Sequence, residues 1–393
     1  MTLDIKKLRD DTPGCSEVLH FENAGSSLMP TPVIHAVREH LELEIKRGGY
    51  AAKDSVSERF EAMYGDIAGL INAKPTEIAL LESATRAWTM AFYSIDFKPG
   101  DVVLTSEAEY ASNYIAMLQL ARRNGIEIQV IPSDSLGQVD IGALESLISE
   151  RVKLIAITHT PTNGGLVNPA EKIGAIAARH SILYLLDACQ TVGQYPIDVQ
   201  KIGCDFLSAT GRKYLRGPRG TGFLFVRERV LRTLEPVMLD LHGATWVSRN
   251  SYVLREDARR FETWEKNYCD MLGLGEAVRY AAQLGMSEIW KRVVCLADQL
   301  RTQLASVPSI SVHDLGETKC GIVTFASKNM SSAELVVALR MRKMNCSLST
   351  PFGTRIDMER RALSPLVRAS VHYFNTEEEI SRFCEGVHEV IKA

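Results

Sequence analysis

The stretch Asp205-Phe-Leu-Ser-Ala-Thr-Gly-Arg-Lys213-Tyr-Leu-Arg-Gly-Pro-Arg-Gly-Thr-Gly222 sets a lysine between a mixed apolar run and a glycine-rich turn. Lys213 lies twenty-six residues after Asp187, which ends the apolar run Ile182-Leu-Tyr-Leu-Leu186. A lysine amine forms a Schiff base with an aldehyde. A carboxylate at a strand end holds a pyridine nitrogen protonated, so that the ring accepts electrons from a carbanion. Together the two groups point to pyridoxal phosphate (PLP). Taken singly, most lysines and aspartates are surface or capping residues, so the surroundings must decide.

Working outward, short apolar runs alternate with helical patterns from Pro75 to about Val226, as a mostly parallel sheet covered by helices requires. Val102–Thr105, Ile126–Ile131, Leu154–Thr158, Ile182–Leu186 and Gly222–Val226 are each four to six residues long, which suits strands buried on both faces. Helices are predicted over residues 141–150 and Ala170–Arg179 between them. In such sheets ligands gather outside the carboxyl ends of the strands, where His159, Asp187 and the approach to Lys213 fall. After Glu256 the pattern turns helical, over residues 272–284 and 286–304, then to short strands and to helices over Ser332–Met341 and residues 377–391. This predicts an α/β chain with a large domain over 20–255 and a smaller α+β domain over 256–393, on which residues 1–19 pack.

With 46% hydrophobic and 24% charged residues in 393, the chain is globular and long enough for two such units. A net charge of −3 gives no electrostatic case for nucleic acid or an anionic membrane, so the expected partner is a small molecule. The charged N-terminus Met1-Thr-Leu-Asp-Ile-Lys-Lys-Leu-Arg-Asp-Asp11 lacks the apolar core of a signal peptide, and no run is long enough to span a bilayer; a cytoplasmic protein is expected. The eight cysteines are scattered without CxxC spacing, and no histidine pair near a motif has metal spacing, which argues for free thiols and no metal site. His159, His242 and His372 read as structural imidazoles. Gly273-Leu-Gly275 lacks the third glycine of a dinucleotide fingerprint, which removes NAD.

The chain resembles the class V aminotransferase group of fold-type I PLP enzymes, which includes cysteine desulfurases, isopenicillin N epimerase-like proteins and hercynylcysteine sulfoxide lyases. The resemblance runs from about Phe21 to the C-terminus. It rests on Ser83-Ala-Thr85, Ser106-Glu-Ala-Glu-Tyr-Ala-Ser-Asn113, Thr158-His-Thr-Pro-Thr-Asn-Gly-Gly-Leu-Val-Asn-Pro169, Asp187-Ala-Cys-Gln190, Thr210-Gly-Arg-Lys213 and Val367-Arg-Ala-Ser-Val-His-Tyr-Phe-Asn-Thr376, in that order. It implies that Lys213 carries PLP, that Asp187 pairs with the pyridine nitrogen, and that Gln190 and Asn163 reach the ring's phenolic oxygen. Ala84 and Thr85 open a helix suited to the phosphate, with Thr210 and Arg212 where desulfurases carry serine and histidine. Tyr110 stands where desulfurases place a ring-stacking histidine; a phenol can stack but cannot shuttle a proton near neutral pH. Arg368 matches the arginine that receives the substrate α-carboxylate in a bidentate fork. Asn23, in Phe21-Glu-Asn-Ala-Gly25, and Tyr50, in Gly48-Gly-Tyr50, are implied substrate contacts. Thr263-Trp264 replaces the Gly-Thr pair with which desulfurases reach a neighbouring subunit's phosphate, although a homodimer is still implied.

The resemblance also separates reactions. Desulfurases carry a sulfur-accepting cysteine about fifteen residues before the carboxylate arginine; here that position is Gly353, and Cys346 lies twenty-two residues before Arg368. A persulfide mechanism is therefore disfavoured. The favoured expectation is a lyase that eliminates a sulfur-bearing group from Cβ of an amino acid, with transamination and Cα epimerisation as alternatives. A non-catalytic protein of this fold is the least favoured, since the residues before Phe21 leave no room for a DNA-binding segment.

Overall fold

The structure, a computed structural model, describes residues 3–392. Its centre is a seven-stranded sheet in the order Ile78–Leu81, Gly222–Val226, Phe206–Thr210, Leu183–Asp187, Val152–Thr158, Val102–Ser106, Glu127–Ile131. All pairings are parallel except those of Gly222–Val226, which runs antiparallel to both neighbours. The eleven residues between Thr210 and Gly222 hold the Lys213 turn and no helix. A parallel return needs a crossover of about a dozen residues or more, so the chain reverses instead.

The strands alternate their burial between two apolar layers. Leu81, Val103, Leu154, Leu185, Phe206 and Leu224 face the helices Ala84–Tyr93 and Ala111–Asn124, with Trp88 and Met117 among their contacts. Leu80, Leu104, Ile155, Leu186, Leu207 and Phe225 face the opposite layer, which includes Ala170–Arg179 and Tyr268–Leu284. The inner strands bury both faces and read as continuously apolar, whereas the edge strand Glu127–Ile131, expected to be buried on both faces, is buried only at Ile131.

A second, four-stranded antiparallel sheet has the order Ile310–Val312, Ile322–Ser327, Leu366–Ser370, Ser347–Ser349. The helices Met286–Ala305, Ser332–Met341 and Glu377–Lys392 pack around it. The N-terminal segment reaches this part of the molecule: Arg9 pairs with Glu379 at 2.8 Å, and Leu19 and His20 pair in parallel with Met344 and Asn345. Residues 1 and 2, grouped with that segment above, lie outside the described residues.

The first helix after residue 255 packs toward the larger unit. Tyr268–Leu284 packs on the helices Thr31–Arg47 and Ser57–Ile71. It also closes on the Lys213 turn, where a Cβ on Gly273 would stand 2.7 Å from Pro218 and one on Gly211 3.0 Å from Leu274. The helical periodicity after Glu256 is real, but its first helix belongs with the seven-stranded sheet.

Candidate active site

Sheet register brings the chemistry together before any loop is considered. Thr158 is aligned with Asp187 and Asp187 with Ser208 at the carboxyl ends of three adjacent parallel strands. Gly222 is aligned with Thr210 on one side and Leu81 on the other, so the start of helix Ala84–Tyr93 and the Lys213 turn leave from the same edge. Ala84, Thr85, Tyr110, Asp187, Gln190, Thr210, Arg212 and Lys213 line one cavity there. A larger cleft of about 640 Å³, lined by Tyr195, Trp290 and Lys201, contains none of these residues. Convergent polar groups, not size, mark the smaller cavity as the site.

Asp187 and Lys213 are 4% and 8% exposed, which is unusual for ionisable side chains and needs local compensation. Burial pushes the Asp187 carboxyl up, while Asn113 Nδ2, the backbone N–H of Cys189 and the charge of Lys213 pull it back. Those two hydrogen bonds are both 2.9 Å long. Asn113 in turn donates to Glu109 at 2.8 Å, and Glu109 also accepts from Thr105, Thr158 and the backbone of Tyr110 and Thr158. Burial raises Glu109 to about 7 against those anion-favouring bonds. Asn113 and Glu109 belong to the quoted Ser106–Asn113 segment but were given no role; their i, i+4 spacing at a helix start was the available signal. Cys189, Thr160 and Thr162 also line the cavity and were not singled out. The Cys189 thiol is raised by burial, with Lys213 beside it acting in the opposite direction.

At the other end, Ser83 caps Ala84–Tyr93 by accepting from the N–H of Arg86. The first N–H groups of a ten-residue helix are thus turned toward the cavity wall, a ready anion site. A Cβ on Gly222 would stand 2.9 Å from the carbonyl carbon of Ser83 and 3.1 Å from the nitrogen of Ala84. Glycine is therefore required for the strand to pass under this helix start. Arg212 reaches the carbonyl of Gly25, and Thr210 Oγ1 donates to the carbonyl of Thr221 at 3.1 Å, so Thr210 must turn to donate to an anion.

Four expected contacts stand elsewhere. Asn163 is buried but does not line the cavity; its Nδ2 is held by the carbonyl of Thr350 at 2.9 Å and Oγ1 of Thr354 at 3.0 Å. The turn after Thr158 directs Thr160 and Thr162 inward in its place. Asn23 is fully buried and ties Ser27 Oγ (2.7 Å) to the carbonyl of Ser370 (2.7 Å), a knot between segments that does not line the cavity. Its neighbour Ala24 does reach the site, accepting from Gln190 Nε2 at 3.0 Å. Tyr50 is 77% exposed and lines a separate surface hollow with Lys53 and Trp264, so within one chain it touches nothing in the site. Arg368 stands one residue behind the cavity wall, donating through Nη1 to Thr162 Oγ1 (2.6 Å) and through Nε to Ser347 (3.0 Å). Its Nη2 has no hydrogen bond among the described residues, which leaves that edge of the fork for a carboxylate.

The thiols divide sharply. Cys346 is fully buried, and burial pushes it to about 12. The loop before Arg368 docks on the site instead through Gly353, whose carbonyl accepts from the N–H of Ala111 at 3.0 Å. His159 is held neutral, pushed down to about 4 by burial, and His372 is buried against the carbonyl of Tyr214 at 2.8 Å. His242 pairs with Glu262 at 3.0 Å, outside the cavity.

The residues present fit PLP: a buried amine, a buried carboxylate, a capped helix start, and Gln190, whose buried Oε1 has no partner. Comparison with known proteins agrees. The chain is 30% identical over 389 residues to a probable cysteine desulfurase of Methanothermobacter thermautotrophicus, covering 98% of this chain and 97% of the relative. The apo structure of a cysteine desulfurase from Thermococcus onnurineus NA1 matches with a TM-score of 0.92 at 26% identity, over 100% of this chain and 99% of the other. The cystine C–S lyase C-DES shares the fold, with a TM-score of 0.87 at 22% identity over 96% of this chain and 99% of its own. Residues 19–383 match the aminotransferase class-V family, and the chain belongs to that family of fold-type I pyridoxal-phosphate enzymes.

Proposed function

We propose that this enzyme is a C–S lyase that removes a sulfur-bearing group from Cβ of an amino acid by elimination, without a persulfide on Cys346. The observation that carries the proposal is the placing of the thiols: Cys346 is fully buried, and the loop that docks beside Tyr110 presents Gly353. Bound PLP would supply the electron sink beside the substrate Cα. Lys213 would hold the cofactor between turnovers, and its amine, freed by substrate, takes the Cα proton. Asp187, steadied by Asn113, would hold the pyridine nitrogen protonated; Ala84, Thr85 and Arg212 would hold the phosphate; Tyr110 would cover the ring. Arg368 fixes the α-carboxylate and so the orientation of the Cα bonds. Cleavage of the Cβ–S bond, with a proton delivered to the departing sulfur, would release a thiol, and addition of water to the remaining imino acid would release an oxo acid and ammonia.

A second reading, desulfuration onto Cys189, is favoured by that thiol's place in the cavity and by the names of the relatives. Burial holds this thiol in its neutral, weakly nucleophilic form, which ranks it lower. Incubation with L-cysteine and L-cystine distinguishes the two. Elimination gives pyruvate and ammonia in equal amounts, whereas desulfuration gives alanine and protein-bound sulfur; alanine as the main product overturns the proposal.

We further infer a homodimer working in the cytoplasm, with the two domains divided near Gly285. The hairpin Ala244–Leu254 supports a dimer, since it exposes Trp246, Val247, Tyr252 and Val253 together. Among the described residues no helix is long and apolar enough to cross a membrane.

A further inference from the structure

Away from the active site, the helix Thr31–Arg47 carries His40 and Glu44 one turn apart, and the start of Tyr268–Leu284 brings Cys269 beside them. One nitrogen, oxygen or sulfur from each lies within 4.8 Å of the others. Nε2 of His40 is 3.3 Å from Oε1 of Glu44, without the alignment of a hydrogen bond, and Sγ of Cys269 is 3.7 Å from Oε2. His40 is only 1% exposed, yet among the described residues neither of its ring nitrogens has a hydrogen-bond partner. Buried polar atoms are almost always paired, so this imidazole lacks something that the chain itself does not supply.

A tetrahedral zinc ion with nitrogen and oxygen at about 2.0 Å and one sulfur at about 2.3 Å separates its ligands by roughly 3.3–3.5 Å. The His40–Glu44 separation of 3.3 Å already has that length, and Cys269 lies 3.7 Å from the other oxygen of the same carboxylate. The donor set decides the metal: magnesium and calcium take oxygen alone, whereas imidazole, carboxylate and thiolate together suit a borderline-soft divalent ion. We propose that His40, Glu44 and Cys269 bind zinc, with the fourth position left to water.

The charges balance when Cys269 gives its proton to solvent, because thiolate and carboxylate then offset the divalent cation around a neutral imidazole. Glu44 also faces the surface hollow lined by Tyr50, Lys53 and Trp264, which gives an ion a way in. Once bound, zinc would fasten Thr31–Arg47 to the helix that backs the Lys213 turn, making it a structural clamp and not part of the reaction.

The test uses PLP-loaded protein, stripped of metal by a chelator and titrated with zinc chloride against a chromophoric competitor. The expected result is one zinc per chain, with binding roughly a hundredfold or more weaker in His40→Gln and in Cys269→Ser. Cobalt(II) should give a thiolate charge-transfer band that is absent from Cys269→Ser. Should either variant fold poorly, the wild type decides alone: zinc must protect Cys269 from iodoacetamide while leaving the exposed Cys295 reactive. Zinc binding no stronger in wild type than in folded Cys269→Ser, or alkylation of Cys269 unchanged by zinc, overturns the proposal.

Discussion

Replacing Asn113 with alanine should weaken the enzyme in a way that depends on pH. Asn113 Nδ2 is shared between two buried carboxylates, Glu109 at 2.8 Å and Asp187 at 2.9 Å. Burial places native Glu109 at about 7, above its ordinary 4.5. Its contribution to stability is therefore complete below about 4.5 and is lost as pH rises through about 7. At pH 5 native Glu109 mostly carries its proton, so the lost bond is neutral and worth about 0.5–1.5 kcal/mol; at pH 8 it is a bond to an anion, worth about 1.5–3 kcal/mol. The cost of Asn113→Ala should thus be about 1–1.5 kcal/mol greater at pH 8 than at pH 5. Urea unfolding of both proteins at saturating PLP, followed by tryptophan fluorescence at the two pH values, measures it. An equal cost at both, or a smaller one at pH 8, refutes the view that Asn113 stabilises these carboxylates as anions.

Other perturbations bear on the site and the assembly. Lys213→Ala should abolish turnover and the visible absorbance of protein-bound cofactor; activity above background would move the role to another amine. Asp187→Ala should keep some bound PLP but lose about 2.7–4 kcal/mol of barrier lowering, as when other preorganised electrostatic groups are removed, so near-normal turnover would make Asp187 structural. Cys346→Ser should leave the rate nearly unchanged, because that sulfur is sealed from the cavity; a collapse in rate in a folded protein contradicts the assignment. Light scattering should report a dimer, and Trp246→Glu should shift it toward monomer, whereas a fully active wild-type monomer would show that the exposed hairpin has another purpose.

What was legible in the sequence was whatever local pattern encodes. Val102–Ser106, Leu183–Asp187 and Gly222–Val226 are short aliphatic runs, and a strand buried on both faces has no other signature. Phe206–Thr210 escaped notice because its second half, Ser208-Ala-Thr210, is small and polar where it meets the cavity. Of the residues expected to hold the cofactor, Ala84, Thr85, Asp187 and Thr210 line the cavity because each ends a strand or opens a helix, positions fixed by nearby sequence. Asn163 and Asn23 do not line the cavity, because loop side chains take their direction from distant partners: Thr350 and Thr354 turn Asn163 away, and Ser370 holds Asn23. The trio of His40, Glu44 and Cys269 was invisible for the same reason, since its sulfur comes from a helix 225 residues along the chain from Glu44.

The central claim is that one cavity, at the carboxyl ends of the strands bearing Asp187 and Thr210, holds PLP on Lys213. Borohydride reduction of the purified holoenzyme, followed by digestion and mass analysis, tests it directly. A single pyridoxyl adduct on the peptide containing Lys213, absent after Lys213→Ala, is the predicted result. An adduct on a different lysine, or one that survives the substitution, would contradict it.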